Sequence, residues 1–202
     1  MTLAMLGDSL AFGTGAGHPS QAIGPRLAEG LERDAGPPVS VTVCAVPGAT
    51  SSMLAAQAGR ALRSGVDVAV VITGANDLTR LVPPVEAAQG LARCVWTLRE
   101  GGAQVVVATV PDLSAVPSLP PEFRQLVRDA CHALEAMQVH ATESAGGIVA
   151  PLGRRLVEVF ARDASLFSSD RYHPSSKGYA LVADALLPYV ATAARRQRRS
   201  AA

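Results

Sequence analysis

Near its start the chain reads Thr2-Leu3-Ala4-Met5-Leu6-Gly7-Asp8-Ser9-Leu10, and the architecture follows from that stretch. Residues 2–6 form a short, mostly apolar run of the kind that makes a buried strand. The pattern then breaks into Ala11-Phe12-Gly13-Thr14-Gly15-Ala16-Gly17. A serine just after a first buried strand sits where open α/β sheets place their ligands, at the carboxyl end of the strands. Taken alone, Gly-Asp-Ser-Leu reads first as a helix cap with a solvated acid, because short motifs recur by accident.

Outward from there, strand-like and helix-like segments alternate. Val39-Ser40-Val41-Thr42-Val43-Cys44 is β-branched and reads as a second strand. Asp67-Val68-Ala69-Val70-Val71-Ile72 is a nearly unbroken apolar run, as expected of a central parallel strand. Residues 104–110 and 148–150 read as strands four and five. Helical periodicity is expected over residues 21–34, closed by Gly36-Pro37-Pro38, and over a segment carrying Met53, Leu54, Ala58, Ala61 and Leu62. Further helices are expected over 84–99, over 122–144 with Phe123, Leu126, Val127, Ala130, Leu134 and Met137 facing inward, and from 174 or 175 to 194. Residues 157–160 read as a single helical turn. This alternation predicts an α/β fold, a five-stranded parallel sheet in the order 2-1-3-4-5 joined by right-handed crossovers. The ends of strands 1, 2 and 3 then converge on one rim and bring Ser9, Gly48 and Asn76 with them.

The chain has 202 residues, 49% hydrophobic and 17% charged, which bounds it to one folded domain. Its net charge of +1 conceals an asymmetry: Arg195, Arg196, Arg198 and Arg199 fall in the last eight residues, which hold no acid. Without those four, 14 cations face 17 acids, a net of −3. That body has no electrostatic footprint for nucleic acid, and residues 195–202 are expected as a frayed, disordered basic tail after a domain spanning 1–194. No apolar run is long enough to span a membrane. The start leads directly into a strand without a signal-like segment, and Cys44, Cys94 and Cys131 match no zinc spacing, so a cytoplasmic protein with buried, reduced thiols is expected.

A nucleophilic serine needs a base, and the base needs an orienting carboxylate. Of the four histidines, His18 lies in the glycine-rich loop and His132 and His140 in the long helix. His173 alone is on a loop with a carboxylate three residues before it, Asp170. Pro174 disfavours helical geometry at His173 and suits the first turn of the next helix, which holds the imidazole at a defined junction. An acyl-transfer site also needs donors aimed at the developing oxyanion. The candidates are the backbone N–H groups of Ser9 and Gly48 and the side-chain amide of Asn76. Gly48 alone could be a turn glycine, and Asn76-Asp77 alone a helix cap.

The ordered set is Gly7-Asp8-Ser9-Leu10, then Gly48, then Gly74-Ala75-Asn76-Asp77, then Asp170-Arg171-Tyr172-His173-Pro174. It resembles the SGNH hydrolase superfamily, the GDSL-type esterases and lipases, over residues 6–187. The resemblance implies a three-layer α/β/α, flavodoxin-like fold that hydrolyses carboxylic esters or thioesters without metal or cofactor. It implies Ser9 as nucleophile, His173 as general base and acid, and Asp170 as its orienter. Ser9, Gly48 and Asn76 would form the oxyanion hole, and Asp8 would support the nucleophile turn. Many members carry an asparagine shortly before the second-block glycine. Here the segment is Val43-Cys44-Ala45-Val46-Pro47-Gly48, which leaves the hydrogen bonding of that turn open. Loops over 112–121 and 12–20 are expected to wall a site for small or short-acyl esters. Deacetylase, lipase, thioesterase and general carboxylesterase chemistry remain open. The competing class is a non-catalytic flavodoxin-like binding module. Gly13-Thr14-Gly15-Ala16-Gly17 fits neither a P-loop nor a dinucleotide fingerprint.

Overall fold

The computed structural model describes residues 1–33 and 38–200. In chain order its elements are β1 (Thr2–Gly7), α1 (Ser9–Phe12), α2 (Ile23–Arg33), β2 (Ser40–Val43), α3 (Leu54–Arg63), β3 (Val68–Ile72) and α4 (Ala75–Thr79). There follow α5 (Pro84–Glu100), β4 (Gln104–Ala108), α6 (Arg124–Ser144), β5 (Ile148–Ala150), α7 (Leu152–Arg162) and α8 (Ser176–Ser200). The five strands are all parallel, in the order β2-β1-β3-β4-β5.

Alternation along the strands builds two cores. Leu3, Met5, Val68, Val70 and Val106 point to one face, where Ile23 and Leu27 of α2 and Tyr179, Val182 and Leu186 of α8 cover them. Ala4, Leu6, Ala69, Val71, Val105 and Val107 point to the other, under Leu54 and Ala58 of α3 and Leu91, Val95 and Leu98 of α5. With both faces covered, the central strands are apolar throughout, which is why β3 and β4 read as unbroken runs.

Several expectations need correction. The stop at Gly36-Pro37 lies outside the described residues. The inward face of α6 carries Cys131, Leu134, Glu135, Gln138, Ala141 and Thr142, whereas Phe123 and Leu126 are exposed. Its first turns face the loop after β4, where Arg124 donates to the Ser114 carbonyl and Arg128 to the Ser114 hydroxyl, so polar contacts stand where an apolar layer was expected. Residues 157–160 belong to a full helix, α7. Gly153 lets that helix approach so closely that a Cβ there would lie 2.7 Å from the Val110 carbonyl oxygen. Residues 195–200, expected as a disordered tail, continue α8. Val190, Ala193 and Ala194 anchor the preceding turns in the core, and arginines in a last turn complement the helix dipole.

Candidate active site

The serine turn comes first. Gly7 adopts φ +124°, and a Cβ there would lie 1.7 Å from the Ile72 carbonyl oxygen, so only glycine lets β1 end this close to β3. Gln57 of α3 clamps the same residue from the other side. Its Oε1 accepts from the Gly7 N–H at 2.6 Å and its Nε2 donates to the Gly7 carbonyl at 2.9 Å. Asp8 then caps α1, with Oδ1 accepting from the Leu10 N–H at 2.9 Å. Ser9 is thereby lifted onto the first residue of α1 at the rim. Burial pushes the Asp8 carboxyl from an ordinary 3.8 up to about 6; the Leu10 N–H pulls the other way, nearby Asp77 adds to the rise and His173 opposes it.

His173 reaches the serine from the loop before α8. Its Nε2 is 2.9 Å from Ser9 Oγ and its Nδ1 is 2.7 Å from Asp170 Oδ2. The other Asp170 oxygen, Oδ1, accepts from Ser168 Oγ at 2.7 Å and from the N–H groups of Tyr172 and His173, both at 2.9 Å. Partial burial opposes the charge on Asp170, but the hydrogen bonds from His173, Ser168 and the two backbone amides hold its carboxyl well below the usual carboxylate range. It therefore stays an acceptor at any working pH. The Tyr172 ring meets the His173 ring edge to face, centroids 5.0 Å apart. The glycine-rich loop supports this junction instead of walling the pocket as expected. A Cβ on Gly15 would lie 3.0 Å from His173 Cβ, and the buried Tyr179 donates its hydroxyl to the Thr14 carbonyl at 2.7 Å.

Gly48 and Asn76 are brought together across the ends of β2 and β3. Gly48 takes φ +80°, and the Asn76 Nδ2 donates to the neighbouring Ala49 carbonyl at 3.0 Å. The turn that lacks an asparagine is held by other bonds. Val46 N–H donates to the Gly7 carbonyl at 3.1 Å, Ala49 N–H to the Val46 carbonyl at 3.0 Å, and Arg60 Nη2 to the Cys44 carbonyl at 2.7 Å. Sequence reasoning missed the main staple between the two loops: the buried Asp77 carboxylate accepts from the Ser51 N–H and hydroxyl at 3.0–3.1 Å. It also missed Gln138, which accepts from Val110 N–H at 2.7 Å and donates to the Thr73 carbonyl at 2.9 Å. The signal that could have found Gln138 is a polar residue in the same helical register as Leu134 and Ala141.

An apolar cavity of about 100 Å³ opens beside Ser9 and His173. Leu113 and Val116 after β4 wall it as expected, joined by Leu156 and Phe160 of α7 and by Phe167. Among the described residues no group of three or more His, Cys, Asp or Glu side chains could hold a metal ion, and no helix is long and apolar enough to cross a membrane.

A parallel α/β/α sandwich with a serine, a histidine and an aspartate hydrogen-bonded in series at its carboxyl rim defines a class of hydrolase-like folds, and comparison with known proteins narrows it. Residues 5–181 match the GDSL-like lipase/acylhydrolase family, and the chain belongs to that family. It is 40% identical over 187 residues to a GDSL-like esterase of Mycobacterium tuberculosis; the match takes in 91% of this chain and 60% of the length of that relative. Among solved structures it resembles TesA, with a TM-score of 0.77 at 20% identity over 94% of this chain and 97% of the other. The acetylxylan esterase Axe2 of Geobacillus stearothermophilus matches with a TM-score of 0.71 at 20% identity over 94% and 93%. At those identities the two structures speak for the fold.

Proposed function

We propose that this chain is a serine esterase that cleaves carboxylic esters of small or short acyl groups through a Ser9–His173–Asp170 triad. The observation that carries the reading is the unbroken series of hydrogen bonds from Asp170 through His173 to Ser9, ending at the mouth of an apolar cavity. As Ser9 Oγ attacks the acyl carbon, His173 Nε2 takes its proton. The carbonyl oxygen becomes an oxyanion facing the N–H groups of Ser9 and Gly48 and the second amide hydrogen of Asn76. Its collapse breaks the ester C–O bond, and His173 returns the proton to the leaving alcohol. Water then attacks the acyl-enzyme with His173 again as base, releasing the acid and regenerating Ser9. Asp170 holds the imidazole with Nδ1 protonated throughout. Asp8 supports the turn and takes no part in bond making. Membership of the family and the 40% identical esterase support the same chemistry.

The test is a fluorophosphonate label followed by a 4-nitrophenyl ester series of rising chain length. The wild-type chain is expected to take one label, on Ser9, and to prefer short acyl chains, which match the small apolar cavity beside it. Ser9→Ala is expected to lose labelling and turnover while keeping its unfolding midpoint, because Ser9 is at the rim. A folded wild-type protein that remains unlabelled and inert would identify a binding module instead.

A further inference from the structure

The site is electrically lopsided. The two carboxylic side chains that line the apolar cavity, Asp8 and Asp112, are both buried, and among the described residues no arginine or lysine lines it, so that side offers an anion no fixed cation. On the other side stand the loops after β2 and β3. Across residues 44–53 and 73–83 they carry only two charged side chains, Asp77 and Arg80. Asp77 is buried and fully engaged with Ser51. Arg80 caps the C-terminal end of α4, its backbone N–H donating to the Asn76 carbonyl at 3.0 Å. Its side chain is exposed and, among the described residues, makes no ion pair or hydrogen bond. The guanidinium nevertheless stands over the Gly48 turn: a methyl group on the Gly48 Cα would lie 3.5 Å from Arg80 Nη2, with no other atom within 4 Å.

We propose that Arg80 is a specificity-determining residue that binds an anionic group, a carboxylate or a phosphate, on the part of the ester that points away from the apolar cavity. The inference rests on the esterase reading, in which Gly48 faces the oxyanion. An unpaired guanidinium offers a planar fork of donors that matches carboxylate and phosphate oxygens. Among the described residues no carboxylate pairs with it. Esters with one short apolar part and one anionic part are therefore the substrate class.

Phenyl butyrate serves as the neutral reference. Against it are set 4-carboxyphenyl butyrate, with the anion on the leaving group, phenyl hydrogen glutarate, with the anion on the acyl group, and the phosphate analogue of the first. Each is assayed with wild type, Arg80→Gln and Arg80→Lys. For at least one anionic ester, the ratio of its kcat/KM to that of phenyl butyrate is expected to fall about tenfold in Arg80→Gln, chiefly through KM, with partial recovery in Arg80→Lys. The wild-type ratio should decline with added salt, and the Arg80→Gln ratio should not. The arm that responds identifies the anion and the part of the ester that carries it. Ratios unchanged in Arg80→Gln, or charged and neutral esters losing equally, would overturn the inference while leaving the esterase reading intact. No turnover of phenyl butyrate together with no fluorophosphonate label would overturn both.

Discussion

At the scale of single residues, Asp8 shows how local geometry sets a titration. Its carboxyl is buried beneath the serine turn, and one of its oxygens caps α1. With a folded value of about 6 against 3.8 ordinarily, the folded state holds its proton longer than the unfolded chain does. Below about pH 3 both states are protonated and Asp8 is neutral to stability. As pH rises from about 3 to 6 the unfolded chain ionises first, so folding loses free energy, and the loss is complete above about 6. Asp8→Asn keeps the acceptor for the Leu10 N–H without the charge. It is expected to be more stable than wild type by roughly 3 kcal/mol at pH 7 and nearly equal to it at pH 3, read by urea unfolding at both values. An equal difference at both pH values would assign the effect to packing. Asp170 has the opposite sign: hydrogen-bonded as a carboxylate, it contributes stability above its ordinary value that is lost only in strong acid. Both residues were visible in the sequence, Asp8 beside the serine and Asp170 three residues before the histidine. Their opposite protonation behaviour was not, because it depends on which carboxyl is buried and which is met by donors.

At the scale of elements, two glutamine side chains join helices to strand ends. Gln57 ties α3 to the end of β1, and Gln138 ties α6 to the segments that follow β3 and β4. Gln138 satisfies a buried backbone donor and a buried acceptor, whereas Gln57 pairs the Gly7 N–H and adds a second donor to a carbonyl that also accepts from Val46. Gln138→Leu should therefore destabilise by about 2–4 kcal/mol, seen as a lower urea midpoint with unchanged slope. It should also slow ester cleavage, because Thr73 leads directly into the loop bearing Asn76. An unchanged midpoint would mean that ordered water replaces the amide. These polar anchors are hard to read from a sequence. Helical periodicity reports which residues share a face, and for α6 the apolar stripe through Phe123 and Leu126 pointed to a face that the fold leaves exposed. Whether a helix face meets an apolar layer or a polar loop is a property of the assembled layers.

At the scale of the whole molecule, α8 spans one face of the sheet and carries the arginine-rich end. Its contacts with the core stop at Ala194; Arg195, Arg196, Arg198 and Arg199 are exposed. Truncation after Ala194 is expected to leave the thermal midpoint within about 2 °C of the full chain and esterase activity unchanged. Truncation after Pro188, which removes Val190, Ala193 and Ala194, should lower it by more than about 5 °C. Equal midpoints for the two truncations would deny the last turns of α8 a place in the core. The strand order, the parallel sense of the sheet and the set of rim residues were all determined by the sequence itself, because alternating apolar strands and amphipathic helices with right-handed crossovers admit few arrangements. Tertiary structure alone decided the rest. It decided that Ser9 and His173, 164 residues apart, stand at 2.9 Å, that Asp77 and Ser51 staple the Gly48 and Asn76 loops, and that α7 closes the cavity. The physical reason is range: strand and helix signals act over a few residues along the chain, whereas hydrogen-bond distances and cavity walls are set by elements that meet only once the layers have packed.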